Sequence, residues 1–153
     1  MGDYREHALD GASAVELVVA LYDGIIRFLY TAIAAVELGD AEGRRAAVKR
    51  ALDIIIHLQA RLRVDVGGRP AESLSDFYAA IFAEILQASQ AASKAKFQHA
   101  IECVRNVRDA WREVARDPNA GGEGRLAIPV PAASVAEGAM GAAPARTGSN
   151  WTA

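Results

Sequence analysis

The chain has 153 residues, of which 52% are hydrophobic and 24% are charged, and its formal net charge at pH 7 is −2. This length is enough for one domain with a buried core and too short for two ordinary domains. The nearly balanced charge excludes a basic surface of the kind that binds nucleic acid through its phosphates.

The only cysteine, Cys103, excludes an intrachain disulfide and a site of several thiolates, as is typical of a reducing compartment. It lies in an apolar helical segment, which favours a small core residue. Near the start of the chain we do not find the pattern of a signal peptide, in which a basic segment is followed by an apolar stretch and a small-residue cleavage site. The longest apolar stretch, residues 14–38, is interrupted by Glu16, Asp23 and Arg27, so we do not interpret it as a membrane span. These features predict a cytosolic protein.

The first helix is predicted to follow a short polar segment, residues 1–12. Ser13 and Glu16 match a capping box that would start it. It is expected to end near Leu38, because Gly39 suits the left-handed position after a helix.

Three more helices are predicted from capping residues and breaks. Asp40 can cap the second helix, and Ser93 can cap the fourth. Gly67-Gly68 and Pro70 interrupt the chain before the third. The predicted ranges are residues 41–63, 71–91 and 94–116.

Apolar residues recur in these segments at spacings of three and four, the period of a helix with one buried face. Four rods of similar length with short connections fold most simply as an antiparallel bundle. The sequence therefore predicts an all-α, up-down-up-down four-helix bundle over residues 13–116.

Residues 117–153 are rich in alanine, glycine and proline and show no helical period. Such a segment buries too little apolar surface to offset its ordering entropy, so we predict a disordered tail. For Trp151 near its end we favour chance over the alternative, in which it docks back onto the bundle.

Helix one carries more apolar surface than a bundle core requires. Its apolar arc covers roughly 220°, whereas an ordinary bundle helix needs a little over about 100°. Three interpretations remain open: deep packing among three neighbours, a groove for another apolar segment, or a groove covered by Tyr4 and Leu9 of the N-terminal segment.

Residues for catalysis or a cofactor are not apparent. A di-iron bundle requires Glu-x-x-His on two helices, and none of the three histidines follows a glutamate at that spacing. His57 and His99 are therefore interpreted as surface residues. We find no phosphate-binding loop, nucleophile elbow or Cys-His pairing. The sequence predicts a non-enzymatic protein with no cofactor, metal or small-molecule substrate.

Residues 16–29, with the sequence ELVVALYDGIIRFL, resemble the motif of the FliS family of flagellar export chaperones. Four further matches follow in the expected order: Gly39-Asp40, residues 51–55 (ALDII), Gly67-Gly68 and residues 107–111 (VRDAW). The resemblance covers about residues 4–116. Ala14 stands where the family often has proline, and the tail lies outside the family pattern.

The resemblance implies a cytoplasmic chaperone that binds the disordered C-terminal region of flagellin, prevents early polymerisation and delivers flagellin to the export gate, without cofactor or ATP. Other flagellar regulators are possible partners. It also implies that Asp23, Gly24 and Trp111 belong to the family motif. Gly24 is expected to permit close approach of a neighbouring backbone.

We therefore predict a partner-binding groove lined by Leu21, Tyr22, Phe28, Phe82 and Leu86, with Tyr4 and Leu9 as its intramolecular cover. The alternative is a helical adaptor or homodimeric bundle unrelated to flagellin, which would use the same apolar surplus to associate with itself.

Overall fold

The computed structural model describes the backbone of residues 2–62 and 64–116, and the side chains of residues 14–62, 67–114 and 116. The predicted tail, including Trp151, lies outside the described residues. Four α-helices make up the described chain, in which no strand occurs: α1 (Gly2–Leu38), α2 (Ala41–Ala60), α3 (Val64–Ala91) and α4 (Lys94–Arg116).

Helix α1 begins eleven residues earlier than the capping box predicts. Its backbone is helical from Gly2 without a break, so Ser13 and Glu16 lie inside the helix. A cap contributes only about 1 kcal/mol, and residues 2–12 contain no proline that would prevent the helix from continuing. The prediction that α1 starts at Ser13 is wrong. The side chains of Tyr4 and Leu9 lie outside the described residues.

The turn between α1 and α2 has the predicted form. Gly39 has a φ of +71°, which L side chains rarely adopt. The Oδ1 atom of Asp40 accepts a hydrogen bond from the Gly43 backbone N–H at 2.8 Å and so caps α2. Both predictions are confirmed, although α2 ends at Ala60, three residues before the predicted end.

The predicted interruption lies inside α3, as a kink at Gly68, where φ is +64° and ψ is −146°. Pro70 follows two residues later, where a helix resumes and its missing N–H does no harm. Helix α3 therefore begins at Val64, seven residues before the predicted start at Ala71. At the next turn the Ser93 Oγ accepts from the Lys96 backbone N–H at 3.1 Å, which confirms the predicted cap of α4.

The four helices form an antiparallel ring in which each packs against its two neighbours in chain order, and α4 closes on α1. Cross-helix contacts fix the directions. Lys94 at the start of α4 pairs with Glu37 at the end of α1, at 2.9 Å. Late in α2, Gln59 donates to Ser75 early in α3, at 2.7 Å. The predicted all-α, four-helix bundle is therefore confirmed.

The core fills the centre of this ring with side chains from all four helices. Its largest fully buried members are Tyr22, Phe97, Ile25, Leu29, Ile55, Ile81, Ile85, Val104, Val107 and Cys103. Cys103 is thus a core residue, as the sequence predicts.

Helix α1 packs the middle of its wide apolar arc against the other helices of the ring. It packs extensively on both α2 and α4, and it also reaches α3 across the core through Tyr22. Ile26, on one flank of the arc, is 7% exposed, whereas Leu17 and Tyr30, at its two edges, are 42% and 49% exposed. Deep packing therefore buries the middle of the arc and leaves both edges at the surface.

One described segment, Ala14–Leu38, is long and apolar enough to cross a membrane by length and composition, with a mean hydropathy of 1.7. In the structure this segment is a bundle helix whose Ile25, Leu29 and Ala32 are buried in the core. A helix packed on several sides meets the same criteria of length and hydropathy.

Candidate partner-binding groove

An open groove of about 370 Å³ runs along the surface between α2 and α3. Apolar side chains form most of its lining, and polar groups stand along its edges. The lining residues are Arg45, Val48, Lys49, Leu52, Asp53, Ile56, Phe82, Leu86, Ser89 and Gln90. We call this surface the α2–α3 groove.

The helical repeat explains why these side chains share one surface. On α2, residues 48, 52 and 56 are spaced by four, and on α3 residues 82 and 86 are likewise one turn apart. Val48 is buried and forms the floor, whereas Ile56 and Leu86 are 54% and 39% exposed. Two large apolar side chains therefore face solvent on either side of the same groove.

The edges of the α2–α3 groove carry groups that hydrogen-bond. Lys49 pairs with Asp53 at 3.0 Å, and both side chains are exposed. Near the start of α2, the Arg44 Nε donates to the Ser89 Oγ at 3.3 Å and links the two helices. An apolar floor with a polar rim is typical of grooves that receive an amphipathic helix.

Phe82 and Leu86 lie in the α2–α3 groove, but the predicted residues of α1 do not line it. Leu21 and Phe28 are half-buried on α1 and pack against the edge of the core. The Phe28 ring lies 6.0 Å from the Arg27 guanidinium and 5.7 Å from that of Arg50, so it is partly covered by cations.

Tyr22 is a core residue with no exposed surface, which corrects its assignment to the groove. Its side chain points across the bundle, where its hydroxyl shares a hydrogen bond with the Tyr78 hydroxyl at 2.6 Å. Burial raises the pKa of Tyr22 strongly, and the neighbouring Tyr78 raises that pKa further. Burial also raises the pKa of Tyr78 to about 12. Both hydroxyls therefore stay protonated at neutral pH and connect α1 to α3.

Asp23 joins α1 to α4. Its carboxylate accepts from the Arg108 guanidinium at 2.8 Å and lies 3.5 Å from that of Arg112. The hydrogen bonds to Asp23 and Asp109 raise the pKa of Arg108 despite the opposing effect of burial. Asp23 thus positions helices and does not face the groove.

Gly24 is buried against α2, where a Cβ atom would lie 3.1 Å from the Ile54 Cδ1. The close neighbour is therefore a side chain, not the backbone that the sequence interpretation expected. Trp111 packs on the core, and its indole N–H is buried without a hydrogen bond to another described residue. The three motif residues hold the bundle together and lie away from the α2–α3 groove.

The α2 side of the groove is missing from the sequence prediction, which assigns that helix only core positions. The run Ile54-Ile55-Ile56 contains the relevant signal. Three consecutive residues span about 200° of a helix, so they cannot all face one core. In the structure Ile55 is buried, Ile54 is half-buried and Ile56 is exposed.

The two described histidines differ from each other. His57 is exposed and lies one turn from Arg61, at 3.4 Å, as expected of a surface residue. The His99 ring is also partly exposed, but it lies between the Glu84 carboxylate and the Cys103 thiol.

Comparison with known proteins places this bundle in a family. The sequence model described as flagellar protein FliS matches residues 1–118.

The chain belongs to the FliS family.

Individual members of the FliS family are similar over most of their length, and each carries the name flagellar secretion chaperone FliS. The Vibrio cholerae protein is 30% identical over 106 residues, which cover 69% of this chain and 78% of that protein. The Campylobacter jejuni protein is 31% identical over 111 residues, covering 72% and 87%. For the Salmonella typhimurium protein the identity is 29%, with coverages of 72% and 82%.

Proposed function

We propose that this FliS family protein is a cytosolic export chaperone that binds the C-terminal segment of flagellin in the α2–α3 groove. The observation that carries the proposal is the pair Ile56 and Leu86, which leave large apolar surfaces exposed on opposite sides of one groove. The relatives named flagellar secretion chaperone supply the class of client.

The shape and lining of the groove suit a helix. A client segment with apolar residues at positions i, i+3 and i+4 would cover Leu52, Ile56 and Leu86 at once. Ordering a disordered segment costs conformational entropy, and burial of apolar surface on both partners offsets it. Polar side chains of the client would meet Lys49 and Gln90 at the rim.

Binding alone accounts for this function. A flagellin segment held in the groove is not free to pair with other subunits, and this would prevent premature polymerisation. Delivery to the export gate would end with release of the segment. The proposed mechanism includes no covalent step and no cofactor.

We also propose that Tyr4 and Leu9 cover the groove in the free protein. The backbone of residues 2–12 continues α1, so covering would require the chain to leave its helical course before Ser13. Only molecules with an uncovered groove can bind the client. The apparent affinity is therefore the intrinsic affinity multiplied by the fraction of molecules that are open in this sense.

Titration with a synthetic flagellin C-terminal peptide tests the proposed function, with light scattering to count the chains in the complex. A chaperone forms a one-to-one complex, and the circular dichroism of the bound peptide shows an increase in helix. A homodimeric adaptor remains dimeric and ignores the peptide, and that result would overturn the proposal. Replacing the peptide's apolar residues by serine provides the matched control and should abolish binding.

A further inference from the structure

Glu84, His99 and Cys103 form a cluster of three potential metal ligands between α3 and α4, in which His99 is exposed and Cys103 is buried. One ligand atom from each lies within 4.8 Å of the others. His99 and Cys103 are one turn apart on α4, and Glu84 reaches them from α3. A carboxylate, an imidazole and a thiol thus meet at one place without being adjacent in sequence.

The hydrogen bond between Glu84 and His99 sets the orientation of the ring. The Glu84 Oε2 lies 2.5 Å from the His99 Nδ1, so the carboxylate accepts from Nδ1–H. The Nε2 lone pair then points towards the Cys103 Sγ, 3.8 Å away. Histidines that bind metals usually present one nitrogen to the ion while a carboxylate holds the other.

The distance between sulfur and nitrogen suits a shared ion. With Zn–S of about 2.3 Å and Zn–N of about 2.0–2.1 Å, tetrahedral coordination separates the two ligand atoms by about 3.6 Å. The observed 3.8 Å differs little from this separation. A small rotation of the His99 ring, which is partly exposed, would close the gap.

The surroundings provide negative charge and access for an ion. Burial, followed by the charges of Glu84 and Glu102, raises the pKa of Cys103 to about 11. A cation placed between Cys103 and His99 would offset the repulsion between the Cys103 thiolate and these two carboxylates. The His99 side chain is 45% exposed, so an ion can approach it from solvent.

We propose that Cys103 and His99 bind a divalent cation of the Zn²⁺ class, with Glu84 holding the imidazole and water completing the coordination. The thiol proton passes to solvent as the sulfur–metal bond forms. The site ties α3 to α4 and lies away from the α2–α3 groove, because Glu84 is about 200° around the helix from both Phe82 and Leu86.

Titration of the intact protein with Co²⁺ tests the site directly, since Co²⁺ takes the same ligands as Zn²⁺ and a cobalt–thiolate bond absorbs in the near ultraviolet. We expect this band to appear with one equivalent bound and Zn²⁺ to displace it. His99→Gln should weaken binding at least tenfold. Glu84→Gln should weaken it about 10–100-fold, the range typical of groups that orient a ligand.

Two controls keep the test independent of folding. His57→Gln changes a surface histidine on α2 and should leave the affinity unchanged. Cys103→Ala alters a core residue, so its circular dichroism is compared first; if it folds, the band must be absent. The proposal is overturned if a tenfold excess of Co²⁺ gives no thiolate band, or if the band survives His99→Gln unchanged.

Discussion

At the scale of single residues, Leu86 and Leu17 offer a matched pair of substitutions. Both are leucines on helix surfaces, and the residues are 39% and 42% exposed, but only Leu86 lines the α2–α3 groove. Neither fills the core, so aspartate at either position should preserve the bundle. Leu21→Asp is a poorer test, because Leu21 packs against the core.

We expect Leu86→Asp to weaken binding of the flagellin peptide by tenfold or more, or at least about 1.4 kcal/mol, because a bound client would bury the new carboxylate without a partner. Leu17→Asp should bind like the unmodified protein. Calorimetry measures both affinities, and circular dichroism checks the fold. An equal loss in both variants would contradict the groove assignment.

The pair Tyr22 and Tyr78 predicts a loss of stability in alkali. The folded chain raises both pKa values above the ordinary 10.0, that of Tyr78 to about 12. The unfolded chain therefore releases these protons first, so the contribution is complete below pH 10 and is lost as the pH rises. The free energy of unfolding should fall by up to about 1.4 kcal/mol per pH unit for each tyrosine.

Urea unfolding at several pH values between 9 and 12 measures this slope. The double variant Tyr22→Phe/Tyr78→Phe keeps both rings and removes both hydroxyls, so its slope should be shallower. Deprotonation of lysines affects both proteins alike. An identical slope in the two proteins would show that the pair does not determine the alkaline limit.

At the scale of elements, Gly24 sets how closely α1 approaches α2. A Cβ atom there would meet only the end of the Ile54 side chain, at 3.1 Å, and this end can shift. Alanine also gains about 1 kcal/mol of helix propensity over glycine. Gly24→Ala should therefore change the free energy of unfolding by less than about 1 kcal/mol.

Gly24→Val adds two methyl groups to the same contact and should destabilise the bundle by about 1–3 kcal/mol through overpacking. Ala34→Val, at an exposed site on α1, provides the control for the lower helix propensity of valine. Denaturant unfolding measures both. If the step from Gly24→Ala to Gly24→Val costs the same as Ala34→Val, the space beside Gly24 is not limiting.

Helix ends were predictable where a local interaction determines them. Gly39, Asp40 and Ser93 act through their own backbone conformation or a hydrogen bond three residues away, and all three predictions are confirmed. Ser13 satisfies the same local rule but lies inside a helix, because a cap is a weak preference and residues 2–12 can continue α1.

The site was less predictable because a groove depends on which helices are neighbours. The apolar excess of α1 suggested that the site lies on that helix. Its neighbours and a contact across the core bury the middle of the apolar arc, and no α1 residue lines the groove. Phe82 and Leu86 were among the predicted groove residues because they lie off the apolar stripe of α3, which contains Tyr78, Ile81 and Ile85. To predict which α2 residues lie opposite them, one would need to know how the two antiparallel helices align.

At the scale of the whole molecule, the bundle has two contrasting seams. Charged side chains close the seam between α1 and α4, where Asp23 meets Arg108 and Arg112. The seam between α2 and α3 is more lightly packed and leaves Ile56 and Leu86 exposed. A fifth helix can therefore join the bundle at the second seam without breaking ion pairs at the first.

Removal of residues 1–12 tests the proposed cover at this scale. If Tyr4 and Leu9 compete with the client, the truncated protein should bind the flagellin peptide more tightly, by the inverse of the fraction of molecules that are open. Calorimetry compares it with the full chain and with Tyr4→Ala/Leu9→Ala. Equal affinity in all three proteins would exclude the cover and leave the groove assignment intact.

The position of α1 in the chain has a consequence for synthesis. Its core-facing side chains are covered by α2 and α4, yet α4 is the last helix to be translated. At about 5–20 residues per second, the ~80 residues between the end of α1 and the end of α4 occupy the ribosome for roughly 4–16 s. Until α4 is complete, the side of α1 that packs against it has no partner, although Ala14–Leu38 is long and apolar enough to cross a membrane by length and composition.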